Sequence, residues 1–176
     1  MGLVIRLAEP EDWEAVRDIR LRMLREEPDA YASEYQTEAH FEPDLWKQRL
    51  ATASSYLAIN DDQALVGIAT GLEAEDGDTY VVGMYVAPEA RGAGCAHQLL
   101  DAIADLAIRR HGERLVLEVA ESNIRATGSY RSYGFVETGR RRTLDRDASI
   151  TEIEFTYSLT RRRPTHSANP QRLPAE

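Results

Sequence analysis

Residues 84–96 read Met84-Tyr85-Val86-Ala87-Pro88-Glu89-Ala90-Arg91-Gly92-Ala93-Gly94-Cys95-Ala96. An apolar strand ends at a proline, a glycine-rich turn follows, and a helix begins. The first turn of a helix carries N–H groups with no intrahelical acceptor, and with the helix dipole they attract an anion. Gly92 and Gly94 let a phosphate approach the backbone closely, and Arg91 adds a fixed positive charge. The segment therefore points to a pyrophosphate cradle. It is not a P-loop, which needs Lys-Ser/Thr where Cys95-Ala96 stand. It is not the dinucleotide fingerprint either, because it does not follow an early strand of a βαβ unit. The competing local reading is a glycine turn that only joins strand to helix.

Other reactive side chains are few. Cys95 is the only cysteine, which excludes an intramolecular disulfide, a two-cysteine zinc site and a thioredoxin-like redox pair. It stands at a helix start, where a thiolate would be stabilised. Its neighbours Ala96 and Leu99 place it on or near a packed stripe, so a nucleophilic role is not expected. His40, His97, His111 and His166 show no ligand spacing, and no metal is expected. No Gly-x-Ser-x-Gly elbow is present.

The elements that must position this segment follow from periodicity and punctuation. Val4 to Leu7 alternates as a strand. Residues 11–26 form an amphipathic helix with Trp13, Val16, Ile19, Met23 and Leu24 at helical spacing. Tyr31 to Phe41 has no clean period and reads as a loop or a broken helix. A second helix starts at Glu42-Pro43-Asp44. Tyr56–Ile59 and Leu65–Leu72 flank a turn as a hairpin, and Thr79–Ala87 is the next strand. The helix after the glycine turn carries Ala96, Leu99, Leu100, Ile103, Leu106 and Ala107 as its apolar stripe. Leu115–Val119 is a buried strand, Asn123–Ser132 a short helix, and Phe135–Thr143 with Ile150–Leu159 a closing antiparallel pair. The order β-α-α-β-β-β-α-β-α-β-β fits a mixed, largely antiparallel sheet with helices on its faces. The sequence predicts one domain over residues 1–160 and a polar, proline-punctuated tail over 161–176, expected to be disordered.

The chain has 176 residues and a formal net charge of −9, which argues against nucleic acid as the main partner. Residues 1–90 hold 7 basic and 19 acidic side chains, and residues 91–176 hold 14 and 11. The acidic half is either a solvated face or one that attracts cations. The basic runs Arg140–Arg142 and Arg161–Arg163 are weak evidence for RNA. No apolar run approaches the ~20 residues of a membrane span, and no signal peptide is read at the N-terminus. A cytoplasmic protein is expected.

The segment around Arg91 resembles the acetyl-CoA-binding signature of the GNAT N-acetyltransferase superfamily, Q/R-x-x-G-x-G/A, with Arg91, Gly94 and Ala96 in its three defined places. A second stretch is similar to that family's other pattern: Leu117-Glu118-Val119 to Asn123, then Tyr130-Arg131-Ser132-Tyr133-Gly134-Phe135. The resemblance covers roughly residues 3–159. Cys95, Gly128 and Tyr133 depart from the usual residues. The family implies a seven-stranded, mostly antiparallel sheet with about four helices and a splayed V between strands 4 and 5. It implies an acetyl-CoA cosubstrate, its pantetheine arm along the backbone near Met84 and Val86, and its pyrophosphate on the N–H groups of Arg91, Gly92, Ala93, Gly94, Cys95 and Ala96. Asn123 would bond to the pantetheine arm. A backbone N–H near Met84 or Tyr85 would serve the developing oxyanion.

Tyr130 matches the family's tyrosine acid. It would protonate the leaving thiolate, against a reading as core packing. Glu118, mid-strand on the face opposite Leu117 and Val119, is the candidate base, against a reading in which it faces solvent or pairs with an arginine. Glu73, Glu75 and Tyr80 are alternative bases. The acceptor would lie against the first two helices, their connection and the last hairpin, with Arg20, Arg22, Asp29, Tyr31, Glu34, Tyr35 and Trp46 as candidates to line its site and Trp46 favoured as packing. The function implied is acetyl transfer to a primary amine, cationic by the acidic bias. The alternatives are an acyl-CoA sensor without turnover and a transferase of longer acyl groups. A homodimer is implied by the family alone.

Overall fold

The computed structural model describes residues 2–161. The tail read over 161–176 falls almost wholly outside them. The chain runs β1 (Leu3–Leu7), α1 (Trp13–Glu26), α2 (Tyr35–Glu38), α3 (Pro43–Thr52), β2 (Ser54–Asn60), β3 (Leu65–Glu73), β4 (Thr79–Val86), α4 (Cys95–Arg109), β5 (Arg114–Ala120), α5 (Ile124–Tyr133), β6 (Val136–Leu144) and β7 (Asp147–Ser158). Prolines at positions 10, 28 and 88 each open a single 3-10 turn. A fixed φ and a missing N–H cost nothing at such a place.

The strands form one sheet in the order β1-β2-β3-β4-β5-β7-β6. All neighbours are antiparallel except β4 and β5. Helix α1 buries Val16, Ile19, Met23 and Leu24, and α4 buries Leu99, Leu100, Ile103, Ala104 and Ala107. Both pack on β3. A Cβ at Gly67 would meet Cys95 Sγ at 3.0 Å and Leu99 at 3.2 Å, so this face of β3 belongs to α4. Alternation along the strand leaves Ile68 to the face of α1.

The mixed seven-stranded sheet matches the sequence expectation, with two differences. Among the described residues there are five α-helices where about four are expected, because the segment without a clean period contains the four-residue α2. One helical turn is too short to show a period. The β6–β7 turn is also tighter than expected: Leu144 pairs with Asp147 across Asp145 and Arg146. Asp147 accepts from the Ser149 N–H and hydroxyl, so polar residues that read as loop belong to the strand.

Candidate active site

Strand β4 is built to leave its neighbour. Its register with β3 slips between Ile68–Tyr85 and Thr70–Val82, so Gly83 and Met84 together face Ala69. Gly83 has φ +57, a left-handed conformation that glycine adopts without strain. The parallel pairing of β4 with β5 is confined to Thr79–Leu115 and Tyr80–Val116. Beyond Tyr80 the strands part. Ala87 donates to the Val66 carbonyl, and antiparallel alternation then turns the Tyr85 main chain to Ile68. The N–H and C=O groups of Met84 and Val86 face the gap. The Tyr31 hydroxyl donates to the Met84 carbonyl at 2.8 Å, and Arg91 Nε donates to the Val86 carbonyl at 2.9 Å. The Tyr85 side chain is buried and donates to Glu26 at 2.5 Å.

At the C-terminal end of β4 the glycine turn leads into α4. Gly92 and Gly94 have φ +76 and +77. A Cβ on either would meet nothing within 4 Å. These glycines serve the backbone path, and the space before them is open. The N–H groups of Cys95, Ala96 and His97 form the unpaired first turn of α4. Arg91 does not stand free: its Nη2 reaches Glu27 Oε1 at 2.6 Å, and Arg125 bonds to the same oxygen. Cys95 is 2% exposed, and burial pushes its thiol up to about 11.

Tyr130 lines the gap from α5. It is buried, with Phe135 and Phe155 at ring-centroid distances of 5.8 and 6.4 Å. Burial, with a smaller push from the Glu27 carboxylate, raises its phenol to about 12. Asn123 caps α5, its Oδ1 accepting from the Ala126 N–H at 3.1 Å. Glu118 also lines the gap, and Arg142 holds it at 2.6 Å. Arg142 Nε reaches Glu152 at 3.1 Å, so one guanidinium serves two carboxylates. Burial raises the Glu118 pKa. Arg142 opposes this, and Glu152, Glu154 and Asp145 push it further up. Glu154 stands directly across the sheet from Glu118. Of the alternative bases, Tyr80 lines the gap. Glu73 is exposed and pairs with Arg110 at 3.5 Å, and Glu75 lies in the β3–β4 turn. Neither is among the lining residues.

The opposite wall comes from the chain after α1. Ala30, Tyr31, Ala32 and Ser33 line it, with Arg20 from the helix. Arg20 makes a two-pronged bond to Glu38 at 3.0 and 2.9 Å, and Arg49 reaches the same carboxylate at 3.1 Å. Burial would raise the Glu38 pKa, but these guanidinium groups and Ser33 bring it below the usual range. The buried carboxylate thus joins α2 to α1 and α3. Burial keeps the Tyr31 phenol far above its ordinary pKa. The other acceptor-side candidates lie elsewhere. Arg22 pairs with Glu26 and Glu89 at 2.7 and 2.8 Å. Tyr35 accepts from Arg25 at 2.7 Å. Glu34 precedes α2 as its N-cap. Asp29 borders a neighbouring hollow. Trp46 is buried against Phe41.

Together these residues enclose a cleft of about 690 Å³. It also takes in Glu27, Ser33, Arg125, Arg142 and Glu152, none of which the sequence reading singled out for a site. The one signal for Arg142 in the sequence is the Arg140–Arg142 run, a weak sign of RNA. All three arginines are in ion pairs, with Glu154, with Glu121 and Glu137, and with Glu118 and Glu152. Among the described residues no group of three or more His, Cys, Asp or Glu side chains could hold a metal ion, and no helix is long and apolar enough to cross a membrane.

The fold is a sheet parted between β4 and β5 beyond Tyr80, with the glycine turn and the unpaired first turn of α4 at the wide end of the opening. Residues 13–135 match the model of the acetyltransferase (GNAT) family, and the chain belongs to that family. It is 29% identical over 140 residues to the peptidyl-lysine N-acetyltransferase YjaB of Escherichia coli (strain K12), covering 80% of this chain and 86% of the relative. Its fold is similar to that of a GNAT acetyltransferase from Streptococcus pneumoniae (TM-score 0.75, 19% identity, 89% of this chain and 99% of the other). It is also similar to that of the ribosomal-protein-S5-alanine acetyltransferase from Vibrio fischeri (TM-score 0.75, 15% identity, 93% and 97%).

Proposed function

We propose that this acetyltransferase moves the acetyl group of acetyl-CoA to a primary amine by direct attack. The observation that carries the reading is the open edge of β4, which runs from the cradle at Gly92–Ala96 past Tyr130 to Glu118. Gly92, Gly94 and the first turn of α4 would hold the pyrophosphate, and Met84, Val86 and Asn123 the pantetheine arm. Acetyl-CoA, when bound, supplies an activated acetyl thioester.

The residues of the chain do the rest. Glu118, through water, takes a proton from the incoming ammonium and frees its lone pair. Its raised pKa suits that exchange better than an ordinary carboxylate would. The nitrogen–carbon bond forms as the carbon–sulfur bond breaks. The Met84 N–H faces the negative charge that develops on the acyl oxygen. Tyr130 gives its proton to the departing sulfur, and the second proton that the nitrogen sheds as the amide forms passes through water back to the Tyr130 oxygen. A phenol at about 12 is a poor acid toward a thiolate in water. A thiolate leaving into the same dry gap is also disfavoured by desolvation, which narrows the difference between the two acids.

The acceptor we favour is an amine on a peptide or protein, such as a lysine side chain, which the name of the E. coli relative supports. The test is a thiol-release screen with acetyl-CoA against lysine-bearing peptides, polyamines, amino acids and aminoglycosides. Amine-dependent release is expected. Tight acetyl-CoA binding with no release for any amine would favour a sensor instead.

A further inference from the structure

We infer that Arg146 sets the shape of the acceptor, admitting a primary amine at the end of an unbranched chain and disfavouring a rigid polycyclic amine. The inference rests on the acetyl-transfer reading above. One wall of the cleft is the 30–33 segment, and the other is the β6–β7 hairpin, which contributes Arg142 and Glu152. Arg146 sits in the two-residue turn of that hairpin and joins the walls. Its Nε donates to the Tyr31 carbonyl at 2.9 Å, and its Nη2 donates to the Pro28 carbonyl.

Both acceptors are main-chain atoms, so the tie depends on the path of residues 28–31 and on one side chain. A guanidinium offers two donors in a fixed fork, and an ammonium on a flexible stem does not. The same segment is fastened on its other side, where the Tyr31 hydroxyl bonds to the Met84 carbonyl at 2.8 Å. The Arg20 guanidinium lies 5.9 Å from the Tyr31 ring centroid. Two walls held together in this way cannot spread for a wide acceptor. A slender chain passes between them, and at its end Glu118 and Glu152 share a single cation, Arg142, which leaves negative charge for an ammonium. The cleft must also hold a pantetheine arm within its 690 Å³, which narrows the acceptor share further.

The experiment compares two acceptors, a lysine-bearing peptide and an aminoglycoside, by thiol release with the full chain. The wild type should show kcat/KM at least tenfold higher for the peptide. In Arg146→Ala that ratio should fall at least fivefold, through a higher KM for the peptide and a faster rate with the aminoglycoside. Acetyl-CoA affinity should stay within twofold. Arg146→Lys, which keeps the charge and one donor, should fall between the two and serves if the alanine variant does not fold. A merely structural role would lower both acceptors together. An unchanged ratio in both variants, or a wild type that prefers the aminoglycoside, would overturn the inference. No release from these two acceptors while a polyamine or amino acid is acetylated would overturn the inference alone, and no release from any of the four classes would reject the acetyl-transfer reading and the inference with it.

Discussion

The two ends of the cleft are made of different material. On the proposed reading, the groups at the cradle end are backbone: the first turn of α4, the turn through Gly92 and Gly94, and the gap-facing edge of β4. At the acceptor end they are side chains brought together from far apart, with Arg142 between Glu118 and Glu152 and Arg146 across to Pro28 and Tyr31. A backbone site depends on conformation and tolerates many side chains. A side-chain site depends on charge and reach, and it can change without disturbing the fold. A family can therefore keep one donor while its acceptors diverge.

The largest expected effect falls where the two ends meet, at Tyr130. Tyr130→Phe keeps the ring packed against Phe135 and Phe155 and removes only the hydroxyl. The turnover rate should drop on the order of 10²-fold, the scale of a lost general acid, with acetyl-CoA affinity little changed. Equal losses in rate and in acetyl-CoA affinity by calorimetry would make Tyr130 a binding group instead.

Next comes the backbone end. Gly94 has φ +77 and open space before it. Gly94→Val would strain the turn and put a branched side chain where a phosphate would approach. Acetyl-CoA should bind at least tenfold more weakly, about 1.4 kcal/mol. By contrast Arg91→Ala should cost less, because Arg91 is spent on Glu27 and the Val86 carbonyl. The opposite ranking of the two variants in calorimetry would mean that the cradle works through charge rather than conformation.

The acceptor end should respond through pH. Burial lifts the Glu118 pKa above its ordinary value, so a rate that needs the carboxylate falls as pH drops through that raised pKa. Glu118→Gln should lose several-fold at pH values above that raised pKa and well below the amine's own, where the carboxylate is charged and the acceptor is still an ammonium. The deficit should close as pH nears the amine's own pKa and solvent supplies the neutral amine. A pH–rate profile parallel to wild type would remove Glu118 as the base and leave Tyr80 as the remaining candidate within the cleft.

The same contrast explains what could be read from the sequence. The cradle is a local pattern within about a dozen residues, and the strand and helix periods around it are local too. The bulge at Gly83 is a matter of register with β3, which no stretch of β4 alone encodes. Glu27 meets Arg91 across 64 residues, and Arg146 meets Tyr31 across 115. Such pairings exist only once the sheet is assembled. Glu118 was legible as a carboxylate out of place in a buried strand. Its tie to Arg142 depended on the β6–β7 register, and the arginine run offered no sign of it.

The smallest expected effect tests whether the reactive-looking residue at the backbone end takes any part. Cys95 begins α4, where a helix dipole favours a thiolate. Its sulfur, however, lies inward: a Cβ at Gly67 would sit 3.0 Å from it. Burial raises the thiol to about 11, so it is protonated at neutral pH and faces core rather than cleft. Cys95→Ala removes one buried sulfur and should cost about 1 kcal/mol of stability, seen as a slightly lower Tm. Turnover should remain at least half that of wild type, because direct attack needs no acyl-enzyme. A collapse in rate, together with an acetylated Cys95 trapped in the wild type by mass spectrometry, would replace direct attack with a two-step transfer. The cradle would then be the chemical end of the cleft as well as the binding end.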